Sequence, residues 1–260
     1  MGFEVMQGSY GRIWYPVTMS DTLYVGQIVA GLTGDGVAPL GAAGAGNTSA
    51  SALGIVGVVV GTNNKTPLFN STYKTEYITS VTPLSNTNEY VLHGGSGKFI
   101  KGDTAAYVLV DCIGPGTVLK GQIFNNGFGT AITVGTETAG DATADTVTTS
   151  ALMDFAGTVV TDQSTIYCRT GANRGIYRIC DDTSATTKTC DLPFPYAIAA
   201  GDTFVGVTLR MVGISVTQFD SESIYINAYG DTGSNYYTID VMALDLREAG
   251  KEHCIFRFVY

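Results

Sequence analysis

"CRTGANRGIYRICDDTSATTKTCDLPFPYAIAAGDTF", residues 168–204, holds three of the chain's five cysteines and a burst of arginines, acids and threonines. A metal or redox site, a phosphate-binding loop, or a run of strands and turns with nothing reactive in it would each use such residues. Read as geometry, the stretch is the third. One strand ends at Cys168, and "RTGAN" is a Gly/Asn turn. In the returning strand, "RGIYRIC", Ile176, Arg178 and Cys180 share one face and Tyr177 and Ile179 the other. "DDTSATTK" turns again. "TCDLPFPY" is a third strand, closed by Pro193 and Pro195, which cannot donate to a ladder. "AIAAGDTFVGV" turns through Gly201 and Asp202 into a fourth strand. The pattern predicts a meander.

The rest of the chain agrees with a β reading. It has 260 residues, 45% hydrophobic and only 14% charged, with 33 glycines. Helices need Glu, Lys and Arg on their wet faces, and that supply is low here, whereas Thr, Tyr, Gly and Asn serve strands and turns. Strands are expected within 23–28, at "IVGVVVG" from Ile55, at 89–93, 105–111 and 118–124, and then at 165–169, 175–181, 187–192, 203–209, 224–228, 236–246 and 253–260. Residues 151–155 could form one helical turn. The Gly/Ala/Ser stretch 31–54 has no periodicity and reads as a long loop. Composition thins at "AGDATADT" near 139–145. The expected fold class is therefore all-β, as two β-sandwich or barrel domains with long Gly-rich loops and little helix: an N-terminal domain over 1–138 and a C-terminal sandwich or meander over 139–260.

A net charge of −9 with no basic stripe argues against nucleic acid or an anionic membrane as partner. No apolar run reaches transmembrane length, and the first residues lack the layout of a signal peptide.

Candidate chemistry is thin. Zinc needs four close ligands, usually with one short-spaced pair. Cys168, Cys180 and Cys190 stand about a strand apart, and His253 and Cys254 fall on opposite faces of one strand. Cys112 completes the five. Buried thiols acting as small apolar residues are the expected reading, with a disulfide as the alternative. For calcium, 34–37 and 181–184 offer oxygens but not the EF-hand order. "GAAGAGNTS" from Gly41 lacks the Lys of a phosphate loop. His93 beside Ser96 in "LHGGSG" is the one conceivable nucleophile pair, without the elbow context that would activate it. Fifteen tyrosines could stack on sugars, but they also suit strand surfaces. No catalytic, cofactor-binding or metal residue is assigned, and no cofactor is expected.

Residues Gly171, Gly175, Arg178, Ile179, Pro195, Gly201, Asp202 and Phe204 together resemble a module of tailed-bacteriophage virion proteins. In that module a Gly- and Arg-marked hairpin precedes a strand, a proline bend and a Gly-Asp closing turn. "YPVTMSDTLYVGQIVA" and "GIVGVVVGTNNKTPLFNSTYKTEYIT" are similar to phage head-decoration and other structural proteins. The resemblance implies a non-enzymatic part that docks on a protein shell. The expected function is a capsid decoration (cement) protein, made in the host bacterial cytoplasm and carried on the capsid exterior. Its expected partners are the major capsid protein and itself, as a homo-oligomer and by preference a trimer, with no nucleic acid and no membrane. The expected contacts are residues 2–14 and the loop 31–54, which could equally be an idle tether. Another virion part (tail tube, head fibre or spike), or a surface adhesin or carbohydrate-binding β-domain, is the alternative.

Overall fold

The computed structural model describes residues 2–17, 22–31, 36–40, 54–63, 68–79, 90–93, 98–101, 106–125, 127–149, 164–182, 186–229 and 236–259. The protein is all-β, with no helix among the described residues. It divides into two compact units, one reaching Gly121 and including Phe219–Tyr225, the other comprising Gln122–Gln218 and Ile226–Val259.

The first unit holds β1 (Glu4–Gln7), β2 (Arg12–Pro16), β3 (Thr22–Tyr24), β4 (Ile28–Gly31), β5 (Val37–Pro39), β6 (Ile55–Thr62), β7 (Leu68–Asn70), β8 (Thr75–Thr79), β9 (Tyr90–His93), β10 (Lys98–Lys101), β11 (Tyr107–Cys112) and most of β12 (Val118–Phe124). A five-stranded sheet runs β2-β11-β6-β4-β5, a three-stranded sheet β3-β8-β7, and β9 pairs with β10. Val17, Leu23, Val29, Val37, Val59, Ile78, Val108 and Val110 form its core. β-branched residues dominate, as buried strands favour.

Two expectations change here. "TLYVGQIVA" is two strands, because the chain turns at Val25–Gly26 and Gly26 takes φ +91°. Phe3 donates its amide to Gly26 O at 2.7 Å, and a Cβ on Gly2 would collide with Gly26. The 31–54 stretch is not all loop either. β5 lies inside it, with Val37 and Ala38 buried; residues 32–35 and 41–53 lie outside the described residues.

The second unit holds β13 (Val134–Thr136), β14 (Thr146–Thr148), β15 (Ser164–Cys168), β16 (Tyr177–Asp182), β17 (Thr187–Cys190), β18 (Thr203–Val207), β19 (Gly213–Gln218), β20 (Ile226–Asn227), β21 (Tyr236–Asp245) and β22 (His253–Phe258). One sheet includes β22-β21-β19. Along β22, Cys254, Phe256 and Phe258 are buried while Arg257 is exposed, the period-two pattern of a one-sided strand.

The other sheet runs β13-β18-β15-β16-β17-β14. A bridge between Glu137 and Thr149 brings β13 and β14 together, so six strands nearly close into a barrel. Glu137, itself buried, caps this seam: its carboxylate accepts from the amides of Ala139, Gly140 and Thr148. Buried carboxylates persist when backbone donors satisfy them.

The stretch 168–204 supplies β16, β17, the last residue of β15 and the start of β18, but not as a meander. β18 pairs with β15, not β17, giving the spatial order β18-β15-β16-β17. That is a Greek key, three hairpin-linked strands with a fourth returning beside the first. The return is the segment 191–202. Asn173, fully buried, pins it with two bonds, donating to Tyr196 O at 2.8 Å and accepting from Tyr196 N at 3.1 Å. Arg178 donates to Pro193 O and lies over the Phe194 ring, and Phe194 packs edge-on against Phe204.

The thin composition at 139–145 marks a tight turn within the second unit, not the division between units. Partial desolvation opposes it, but the Thr143 hydroxyl and the amides of Thr146, Thr143 and Asp145 all donate to Asp141 and hold its carboxyl down at about 2. Residues 151–155 lie outside the described residues.

Candidate functional site

The segment 2–14 is a built edge rather than a loose arm. β1 pairs only with β12, and β2 only with β11, among the described residues. Each is the edge strand of its sheet and leaves one row of backbone donors and acceptors unpaired within the sheet. Between them residues 8–11 are fixed. Tyr10 N donates to Cys112 O at 2.9 Å, and Cys112 N to Gly11 O at 2.8 Å. Thr117 Oγ1 donates to Gly8 O at 2.7 Å. Ser9 Oγ donates to the nearly buried Asp111, which also lies 3.6 Å from Arg12.

This rigid segment presents apolar side chains to solvent: Met6 is 54% exposed, Tyr10 65% and Ile13 44%. Met6 is the extra residue of a bulge, since Val5 faces Leu119 and Gln7 faces Val118. Bulges re-aim side chains at sheet edges. Gly114 lies beneath Tyr10, where a Cβ would stand 2.9 Å from the ring and push it outward.

A second constellation in the same unit groups aromatics and acids. Tyr24 and Tyr77 are register partners on β3 and β8. Tyr73, from the turn before β8, meets Tyr24 edge-on at 4.9 Å, and Tyr77 lies 5.8 Å from Tyr24. Asp220 and Glu222 come from the turn 219–225. Asp220 is held by the amides of Glu222, Ile224 and Tyr225. Burial nonetheless pushes its carboxyl up to about 6, with Glu222 adding to the rise. Burial first, then Asp220, Glu222 and Tyr24, lifts Tyr73 to about 12. Gln27, buried, donates to Glu222 O and fixes the same turn.

The candidates weighed from sequence stay apart. His93 sits on β9, but its side chain and Ser96 lie outside the described residues, as do 41–49 and, of the two stretches weighed for calcium, residues 34–35 and 183–184 and the side chains of Asp181 and Asp182. His253 bonds Lys251 O while Cys254 points into the core. Among the described residues, no group of three His, Cys, Asp or Glu side chains could hold a metal, and no helix is long and apolar enough to cross a membrane. All five cysteines are thiols; Cys168, Cys180, Cys190 and Cys254 are buried and Cys112 half-buried.

The residues behind the phage resemblance prove architectural. Gly171, Gly175 and Gly201 take φ of +80°, +94° and +94°. Asp202 accepts from Ala199 N, and Phe204 is fully buried. Missed from sequence were the tyrosine–acid group, whose members lie some 50 and 200 residues apart along the chain, and the exposed Met6–Tyr10–Ile13 row, which only sheet order reveals as an edge. No family model, curated protein or solved structure matches the chain.

Proposed function

We propose that the protein is a non-enzymatic structural component that docks on a protein lattice, in the manner of a capsid decoration protein on the outer head of a tailed phage. The observation that supports this reading is the 4–13 edge: two strand edges left unpaired among the described residues, held by hydrogen bonds to 111–117, with Met6, Tyr10 and Ile13 exposed. Open edges add strands from a neighbour, and exposed apolar groups between them supply the buried area that makes such pairing stable. Repetition over a lattice multiplies weak contacts. The partners are the major capsid protein and further copies of this chain, and the site of action is the capsid exterior.

The test is co-sedimentation with empty heads of the phage that encodes the chain. Wild-type protein should pellet with the heads and saturate at a fixed ratio. The Met6→Lys/Ile13→Lys variant should stay in the supernatant. Wild type that stays behind, or a variant that pellets equally well, overturns the reading.

The tyrosine–acid group favours a second reading, a carbohydrate-binding β-domain. Half-buried rings offer faces for sugar C–H groups and nearby carboxylates accept from hydroxyls. A glycan array separates the two: specific binding abolished by Tyr73→Ala would favour this second reading.

A further inference from the structure

In the barrel of the second unit, antiparallel register partners carry their side chains on the same face. Cys180 of β16 is the register partner of Cys190 of β17. Both are buried, as is Lys188, while Thr189 between Lys188 and Cys190 is exposed, so the two thiols face the barrel interior side by side. The ladder bonds identify which kind of pair this is. Asp191 N donates to Ile179 O, flanking the pair, and Cys190 N turns away to Asp145 O on the other neighbour. Cys180 and Cys190 therefore form a non-hydrogen-bonded pair, the narrow position of an antiparallel ladder, where Cα atoms approach to about 4.5 Å. That lies within the span a disulfide bridges, roughly 4.4–6.8 Å. The other three cysteines lack such a neighbour: Cys112 faces Gly57, Cys168 faces Phe204 and Cys254 faces Leu244.

We propose that Cys180 and Cys190 are a disulfide-forming pair, which staples β16 to β17 when the chain folds in contact with a small-molecule disulfide such as oxidised glutathione. The thiolate of one cysteine attacks the glutathione disulfide, forming a mixed disulfide and expelling one glutathione thiolate. The thiolate of the other attacks the protein sulfur of that mixed disulfide, closing the bridge and expelling the second. The protein loses two protons and two electrons, and one oxidised glutathione becomes two reduced molecules. Timing follows from burial. In the folded barrel, burial lifts the Cys190 thiol to about 12, with the Arg178 guanidinium opposing it. Little thiolate is present there, and the side chain is buried. Closure belongs to the moment before β17 docks.

The experiment refolds the full chain from denaturant in a glutathione buffer of oxidising ratio, traps remaining thiols by alkylation, and maps tryptic peptides by mass spectrometry. Cleavage after Arg178, Lys188 and Arg210 places Cys180 and Cys190 in separate peptides. The expected main product is those two peptides joined, two hydrogen masses below their sum and separated by reductant. The oxidised protein should melt at a higher temperature than the reduced one, a difference that disappears when reductant is added. Folded protein given the same buffer should stay unlinked far longer. Refolded protein with both thiols alkylated, or with either joined mainly to Cys112, Cys168 or Cys254, overturns the proposal. Cys168→Ser keeps the pair and removes the competitor nearest to it in sequence. It should give the same linked peptide, and its failure to do so while folding normally would also count against the proposal.

Discussion

At Gly171 the backbone takes φ +80°, and a Cβ would overlap the Asp202 carboxylate. At Gly175 φ is +94°, but nothing lies within 4 Å of where a Cβ would stand. The two positions separate backbone strain from collision. Gly175→Ala should cost about 1–2 kcal/mol, the left-handed penalty alone. Gly171→Ala should cost about 3 kcal/mol or more, because the Gly-Asp turn into β18 must also shift. Urea midpoints of the two variants check the difference. Asp220 makes a prediction about pH. The folded state keeps its proton up to about pH 6, while the unfolded chain releases it near the ordinary 3.8. A raised folded value means its stabilising contribution is complete below about pH 3.8 and fades as pH rises through 6, by about 3 kcal/mol in all. Asp220→Asn keeps an oxygen for the amides of Ile224 and Tyr225 and removes the charge. Urea unfolding of this variant between pH 4 and 7 should show a flatter profile than wild type. An unchanged slope would mean that another group carries the dependence.

Among the elements, the return segment 191–202 decides the topology, and Asn173 is its anchor. Asn173→Ala leaves Tyr196 N and O without their partners and should cost about 2–3 kcal/mol. Hydrogen exchange at the Tyr196 amide should speed up far more than at Ile166, deep in β15. This level also shows what local sequence carries. Alternation and turn residues located β15 to β18 almost to their ends, because a strand's period and its breakers are properties of a few adjacent residues. They could not say that β18 would pair with β15, since partner choice depends on where Phe194 and Asn173 find burial. Gly26 was invisible as a turn because Leu23, Val25 and Gln27 alternate with Tyr24 and Ile28 as they would along one continuous strand. β13 and β14, three residues each, are too short for periodicity to register at all.

For the whole molecule, the all-β class was legible because a chain poor in charge and rich in Gly, Thr and Tyr supports few other architectures. The unit division was not, since Phe219–Tyr225 joins the first unit from far along the chain, and no compositional signal marks such a return. The candidate edge was half legible: residues 2–14 stood out by position, yet their rigidity comes from Asp111, Cys112 and Thr117, a hundred residues away. Because Met6 and Ile13 are exposed, replacing both with Lys should leave the unfolding free energy within about 0.5 kcal/mol of wild type, so a loss of docking would not be a loss of fold. The most direct measurement is a cryo-electron microscopy reconstruction of empty heads saturated with the protein. The account predicts ordered density at lattice positions, with β1, Tyr10 and β2 facing the shell. Bare lattice positions, or ordered density whose shell-facing surface excludes residues 4–16, would contradict it.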